Sequence, residues 1–112
     1  MTRDRYAPHD TVREDRDDGS FILRAKAPLG PVVDRATDWL DDWAARTPDA
    51  VFLAERSGAG WREESFAAVR EQARALAAGL LGLGLGPDKP ILIISGNSVD
   101  HGILALAAQY VA

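Results

Sequence analysis

Ile91-Leu92-Ile93-Ile94 is a run of four large aliphatic side chains without a polar break. Side chains along a strand point alternately to opposite faces. An unbroken apolar run therefore reads as a strand covered on both sides rather than one half in water. Such a strand requires layers above and below it and a neighbour along its edges. The chain that must supply them has 112 residues, room for one small domain. The residues beyond the run sharpen the demand. After Ser95-Gly96-Asn97-Ser98 a helix begins near Val99, and past Gly102 its only polar side chains are Gln109 and the Tyr110 hydroxyl. A helix apolar nearly all round is one buried on several sides.

Upstream, apolar spacing predicts a helix over about 34–46, with Asp34 as N-cap and Ala36, Trp39, Leu40 and Trp43 on one stripe. The two tryptophans read as core payload rather than as an aromatic binding platform. Thr47-Pro48 stops this helix, because proline disfavours helical geometry in the residue before it. A hairpin follows, with a strand over 51–54, a turn at Ser57-Gly58-Ala59-Gly60 and a return over 61–64. Ser65 then caps a helix carrying Phe66, Val69, Ala73, Leu76, Ala77 and Leu80 on one face, with Arg70, Glu71 and Arg74 away from it. That helix dissolves into Gly79, Gly82, Gly84 and Gly86, and Pro87 forbids continuation.

The order helix, hairpin, helix, strand, helix predicts an α/β fold. The chain offers the apolar strand only one hairpin and a scrap at Phe21-Ile22-Leu23 as neighbours. Residues 21–112 are therefore expected to be an incomplete N-terminal part of a larger α/β domain, truncated at the C-terminus. Residues 1–20 carry ten charged side chains of mixed sign and are expected to form a disordered leader. Pro28-Leu29-Gly30-Pro31 marks a loop.

Composition closes off several chemistries. There is no cysteine, which excludes disulfides, thiolate nucleophiles and Cys-ligated metals, and His9 and His101 are the only histidines. A net charge of -4 argues against nucleic acid as a partner. No apolar run reaches membrane-spanning length, and the N-terminus lacks the apolar core of a signal peptide, so a cytoplasmic location is expected. Alanine occurs 19 times and arginine outnumbers lysine 11 to 2, a bias expected of a GC-rich bacterial genome.

Candidate chemistry is sparse. Gly82, Gly84 and Gly86 close a helix and precede a strand, the reverse of a phosphate loop, and Lys89 falls outside P-loop spacing. Ser95-Gly96-Asn97-Ser98 does lie between strand and helix, where an anion could be held, but it reads as a capped turn with Asn97 or Ser98 as the cap. His101, beside Asp100, could act as a base in the first helical turn, yet the sequence brings no nucleophile to it, and a packing role is preferred. Ser65, Ser95 and Ser98 lie in no G-x-S-x-G setting. Glu63-Glu64 and Asp41-Asp42 read as solvated faces. No residue is assigned a catalytic, cofactor-binding or metal-binding role.

The motifs in order do carry a resemblance. Trp43-Ala44-Ala45-Arg46-Thr47-Pro48-Asp49-Ala50-Val51-Phe52-Leu53 resembles the opening of the adenylate-forming, or AMP-binding, acyl-CoA synthetase superfamily. Trp61-Arg62 with Ser65-Phe66-Ala67-Ala68-Val69 is similar to its early Thr-Tyr-x-Glu-Leu motif, Ala68 standing where that motif has glutamate. Residues 91–101 and 104–108, with the leader at 18–24 and 28–30, resemble the feruloyl-CoA synthetase branch. The resemblance implies an acid–CoA ligase that converts a carboxylic acid such as ferulate, with ATP and CoA, to acyl-CoA, AMP and pyrophosphate through an acyl-adenylate, Mg assisting. It also implies that the phosphate loop, the acid pocket and the catalytic lysine lie outside this segment. The segment would then be scaffold, inactive alone, with the remainder of the same polypeptide as its partner. The other reading of the same residues is a free-standing small α/β interaction module without enzymatic activity.

Overall fold

The computed structural model describes residues 10–112. Expectations that fall on residues 1–9, including the N-terminal half of the charged leader and His9, lie outside the described residues. Two compact units divide the chain at Val32.

The first unit holds an antiparallel hairpin of β1 (Thr11–Asp15) and β2 (Phe21–Ala25), in register from Thr11 opposite Ala25 to Asp15 opposite Phe21. The expectation of disorder for residues 11–20 therefore does not hold in this structure. The charges are what the hairpin uses. Arg24 pairs with Glu14 at 3.3 Å, Lys26 with Asp10 at 2.8 Å, and the Arg13 guanidinium lies 4.2 Å from the Phe21 ring centre. The turn closes on Gly19 at φ +83°, with Asp18 accepting hydrogen bonds from the Ser20 amide and hydroxyl. Those Ser20 bonds hold the Asp18 carboxyl below its ordinary range.

The second unit contains α1 (Ala36–Arg46), a hairpin of β3 (Val51–Ser57) and β4 (Gly60–Ser65), α2 (Phe66–Gly82) and α3 (Val99–Val111). Its core is Leu40 from α1, Val69, Ala73 and Ala77 from α2, and Val99, Ile103, Ala107 and Val111 from α3. The fold is thus mixed α/β, with two two-stranded antiparallel sheets and three helices among the described residues.

Three expectations change. The buried stripe of α1 is Thr37, Leu40 and Ala44, while Trp39 and Trp43 are 53% and 43% exposed. Small side chains face α2 and leave the indoles at the flank, where Trp43 stacks on Phe66 and Phe66 on Phe52. The N-cap of α1 is Arg35, not Asp34; the Asp38 carboxylate accepts the Arg35 amide at 3.1 Å. Most consequentially, Ile91–Ile94 forms no strand. Ile91 packs against the core, but Leu92 and Ile94 are 83% and 88% exposed. The physical reason is the absence, among the described residues, of a neighbouring strand to complete a ladder.

Other local readings hold. The Ser65 hydroxyl accepts the Ala68 amide at 3.2 Å and caps α2. The glycine-rich end of α2 is a Schellman motif: Gly84 sits at φ +72°, its amide donates to the Leu81 carbonyl, and the Leu85 amide reaches back to Leu80.

One polar cluster ties the three helices together. Asp41 accepts hydrogen bonds from Arg70 and from the Tyr110 hydroxyl, the latter at 2.9 Å. Burial alone would raise the Asp41 carboxyl, but the Arg70 and Tyr110 hydrogen bonds and the charges of Arg70 and Arg74 bring it below its ordinary value. The Tyr110 phenol is pushed up to about 12, by burial first and then by its bond to ionised Asp41.

Two outcomes are expected. Ala68→Glu, which would let a carboxylate reach back to the Ser65 amide, should stabilise the second unit by about 0.5–1 kcal/mol, read from the denaturant midpoint. Asp41 contributes stability above the ordinary carboxylate range and loses it as pH falls through its lowered folded value. Tyr110 contributes below about pH 10 and loses it as pH rises towards 12. Asp41→Asn should therefore flatten the acid limb of a plot of stability against pH and narrow the alkaline loss. Unchanged limbs would show that the cluster contributes nothing.

Candidate functional site

The hairpin β3–β4 and the first turn of α3 meet at Gly102. A Cβ there would lie 3.1 Å from Leu53 Cδ1, so glycine lets β3 approach the helix closely. This contact brings the polar side chains of the hairpin to the helix N-terminus.

Arg62, on β4, is the hub. Its guanidinium donates to Glu55 Oε1 on β3 at 3.1 Å and to Asp100 Oδ1 on α3 at 2.8 Å, and it passes 3.6 Å from Glu64. The second Glu55 oxygen accepts the Val99 amide at 2.9 Å. A carboxylate from the hairpin thus sits on the positive end of α3. The hydrogen bond to Asp100 comes first in driving the Arg62 pKa further up; burial opposes it, and the Asp100 charge, then the hydrogen bond to Glu55 and the Glu55 charge, add to the rise. The Arg62 hydrogen bond and then its charge lower Asp100.

The turn 95–98 is held from inside. Ser98 is the N-cap of α3, its hydroxyl accepting the His101 amide at 3.1 Å. Of the two caps the sequence allowed, Ser98 is the one used. With the Val99 amide on Glu55 and the His101 amide on Ser98, two donors of the first turn are committed. Glu55 and Asp100 add negative charge beside them. These residues do not fit a nucleotide phosphate.

Ser95 and His101 come together across this turn. Ser95 Oγ lies 2.6 Å from His101 Nδ1 and 3.2 Å from the Gly96 carbonyl. The sequence offered no nucleophile within reach of His101. The six-residue separation hides the contact, because the chain first turns through Gly96 and Asn97 and then winds one helical turn. An alternation of extended segment, small-residue turn and helix start was the available signal. Beside the pair is a cleft of about 350 Å³ between β3 and α3, lined by Leu53, Glu55, Asn97, His101 and Gly102 among others.

The other sequence candidates go to structural work. Asp41 and Asp42 part company, Asp42 pairing with Arg46 at 2.9 Å. Glu64 accepts from Gln72 at 3.1 Å, while Glu63 is exposed. Lys89 closes a turn with its amide on the Gly86 carbonyl at 2.9 Å. A larger cleft of about 500 Å³ lies between α1 and α2, where Asp41, Arg70, Glu71 and Arg74 are among the lining residues, and its charges balance. Among the described residues no group of three or more His, Asp or Glu is placed to hold a metal ion, and no helix is long and apolar enough to cross a membrane.

A family model described as AMP-binding enzyme matches residues 40–111, and the chain belongs to that family of adenylate-forming enzymes. The matched span runs from the middle of α1 to the last turn of α3 and includes the Arg62 hub and the 95–98 turn. No curated protein and no solved structure matches the chain.

Removing the hairpin carboxylate from α3 should be costly. Glu55→Ala leaves the Val99 amide without its partner and Arg62 with one fewer, and is expected to cost about 1–2 kcal/mol with faster hydrogen exchange at Val99. Asp100→Ala, at an exposed pair, should cost clearly less than Glu55→Ala. Equal costs for the two variants would refute the role given to Glu55.

Proposed function

We propose that the chain serves an ATP-dependent acid–CoA ligase as scaffold, and that the acid is ferulate or a related hydroxycinnamate. The family match over residues 40–111 carries the ligase part of this reading. The narrower acid class rests on the resemblance of Ile91-Leu92-Ile93-Ile94-Ser95-Gly96-Asn97-Ser98-Val99-Asp100-His101 to the feruloyl-CoA synthetase branch. In that reaction the acid carboxylate attacks ATP to give acyl-adenylate and pyrophosphate, and the CoA thiol then displaces AMP. Mg ion assists the phosphate chemistry. Drawing on ATP and CoA, the reaction belongs in the cytoplasm of a bacterial cell.

In this proposal the described residues hold shape for the ligase and bind none of its substrates. The polar groups at α3 are turned to one another: Glu55 to Val99, Arg62 to Glu55 and Asp100, and Ser98 to His101. The exposed apolar side chains of Leu92 and Ile94 supply surface for further polypeptide of the same ligase to cover. ATP, Mg, CoA and the acid would be bound by that further polypeptide.

The test compares two preparations. The 112-residue chain with ATP, Mg, ferulate and CoA should form no thioester. A ligase carrying this sequence should form feruloyl-CoA, with AMP and pyrophosphate in equal amounts, at a higher kcat/KM than with acetate. Thioester formation by the short chain would overturn the scaffold role. A ligase preferring acetate would overturn the acid class.

A further inference from the structure

We propose that Ser95 and His101 form a nucleophile–base pair that takes an acyl group from small activated carboxylic esters. The pair is independent of the ligase chemistry above. Its first support is distance: Ser95 Oγ lies 2.6 Å from His101 Nδ1, within the range in which a base removes a hydroxyl proton. This contact is shorter than the competing one from the same hydroxyl to the Gly96 carbonyl at 3.2 Å. The second support is access, since Ser95 and Gly96 are exposed and His101 is half-buried at the edge of the β3–α3 cleft. A cleft of about 350 Å³ is large enough for a small acyl group with its leaving group.

The third support is the way the base is held. His101 follows Asp100, which Arg62 grips at 2.8 Å, and its own amide is fixed by Ser98 at 3.1 Å. The imidazole therefore stands on a helical turn anchored from two sides, which limits its movement relative to Ser95. The Gly96 amide, next in the chain after the nucleophile, donates no hydrogen bond among the described residues and is free for a developing oxyanion.

The step balances without an outside reagent other than the ester and water. Neutral His101, protonated on Nε2, accepts the Ser95 hydroxyl proton on Nδ1 as Oγ bonds to the acyl carbon. The bond from that carbon to the leaving oxygen breaks, and the leaving alkoxide or phenoxide takes the proton from Nδ1. The products are O-acyl-Ser95 and a free alcohol or phenol. A water molecule, deprotonated by the same nitrogen, then hydrolyses the acyl-serine to the carboxylic acid and restores the pair.

The experiment uses the full 112-residue chain and p-nitrophenyl acetate, with peptide mass mapping of the acetylated residue and p-nitrophenol release as readouts. The expected result is acetyl on Ser95, lost in Ser95→Ala. In His101→Gln the rate of labelling should fall roughly a hundredfold while the helical circular dichroism is kept. Should His101→Gln fail to fold, carbethoxylation of His101 in the folded, unaltered chain by diethyl pyrocarbonate decides. Labelling of Ser95 through His101 falls once carbethoxylation removes the basicity of the ring, whereas labelling that ignores the imidazole continues. Acetyl found only on other residues, labelling of Ser95 undiminished in folded His101→Gln, or labelling that survives carbethoxylation of His101 would each overturn the proposal.

Discussion

The close approach of α2 and α3 sets the rest of the second unit in place. Val69, Ala73 and Ala77 on one helix meet Val99, Ile103, Ala107 and Val111 on the other, and Val69, Ala73 and Ala107 are fully buried. Alanine brings little apolar area to a core, about one methyl group each, but it lets two helical backbones come near. The alanine content therefore has a packing consequence. It builds a thin core in which helix position is fixed by proximity more than by large interlocking side chains. The larger aromatics are pushed to the rim, where Trp43, Phe66 and Phe52 stack in sequence.

A thin core leaves orientation to polar contacts, and two clusters supply it. Asp41, Arg70 and Tyr110 lock α1 to α2 and α3 at one end. Glu55, Arg62 and Asp100 lock the hairpin to α3 at the other. The clusters differ in kind. Asp41 is partly withdrawn from water and serves two donors, so its ionisation is coupled to packing. Asp100 is well exposed, and its pair with Arg62 adds alignment more than stability. Glu55 matters most at the second cluster, because it satisfies a helix-terminal amide while Arg62 balances its charge.

Much of this arrangement was legible in the residues. Ser65 and Ser98 are caps because a hydroxyl before an apolar helical run has an orphan amide three residues on to accept. Gly84 ends α2 because the Schellman turn needs a left-handed residue there. The charged leader misled for a definite reason. Composition weighs the area a segment can bury, and the β1–β2 hairpin buries almost none; it is organised by cross-strand pairing and by ion pairs that a sum of charges does not register. The tryptophans of α1 misled because helical spacing identifies a stripe but not which of two overlapping stripes faces the core. Thr37, Leu40 and Ala44 form the one that lets α2 come close. Contacts such as Ser95 with His101 and Glu55 with Val99 depend on how the chain turns, which residue spacing does not encode.

The residues 91–101 concentrate both the sharpest sequence signal and the largest departure from it. Ile91-Leu92-Ile93-Ile94 has the pattern of a strand covered on both faces, yet Leu92 and Ile94 stand in solvent. Natural sequences agree with themselves from local pattern to tertiary contact, and disagreements cluster where a segment answers to something besides its own fold. Here the disagreement ends abruptly at Ser95. From that residue on, every local rule is obeyed: a small-residue turn, a serine cap, an acidic first turn gripped by arginine and a glycine where β3 leans in. An extended segment with Leu92 and Ile94 in solvent thus feeds into a helix start held by Ser98 and Glu55. The contact between Ser95 and His101 lies at that junction: Ser95 ends the apolar segment, and His101 stands on the helical turn that Ser98 caps.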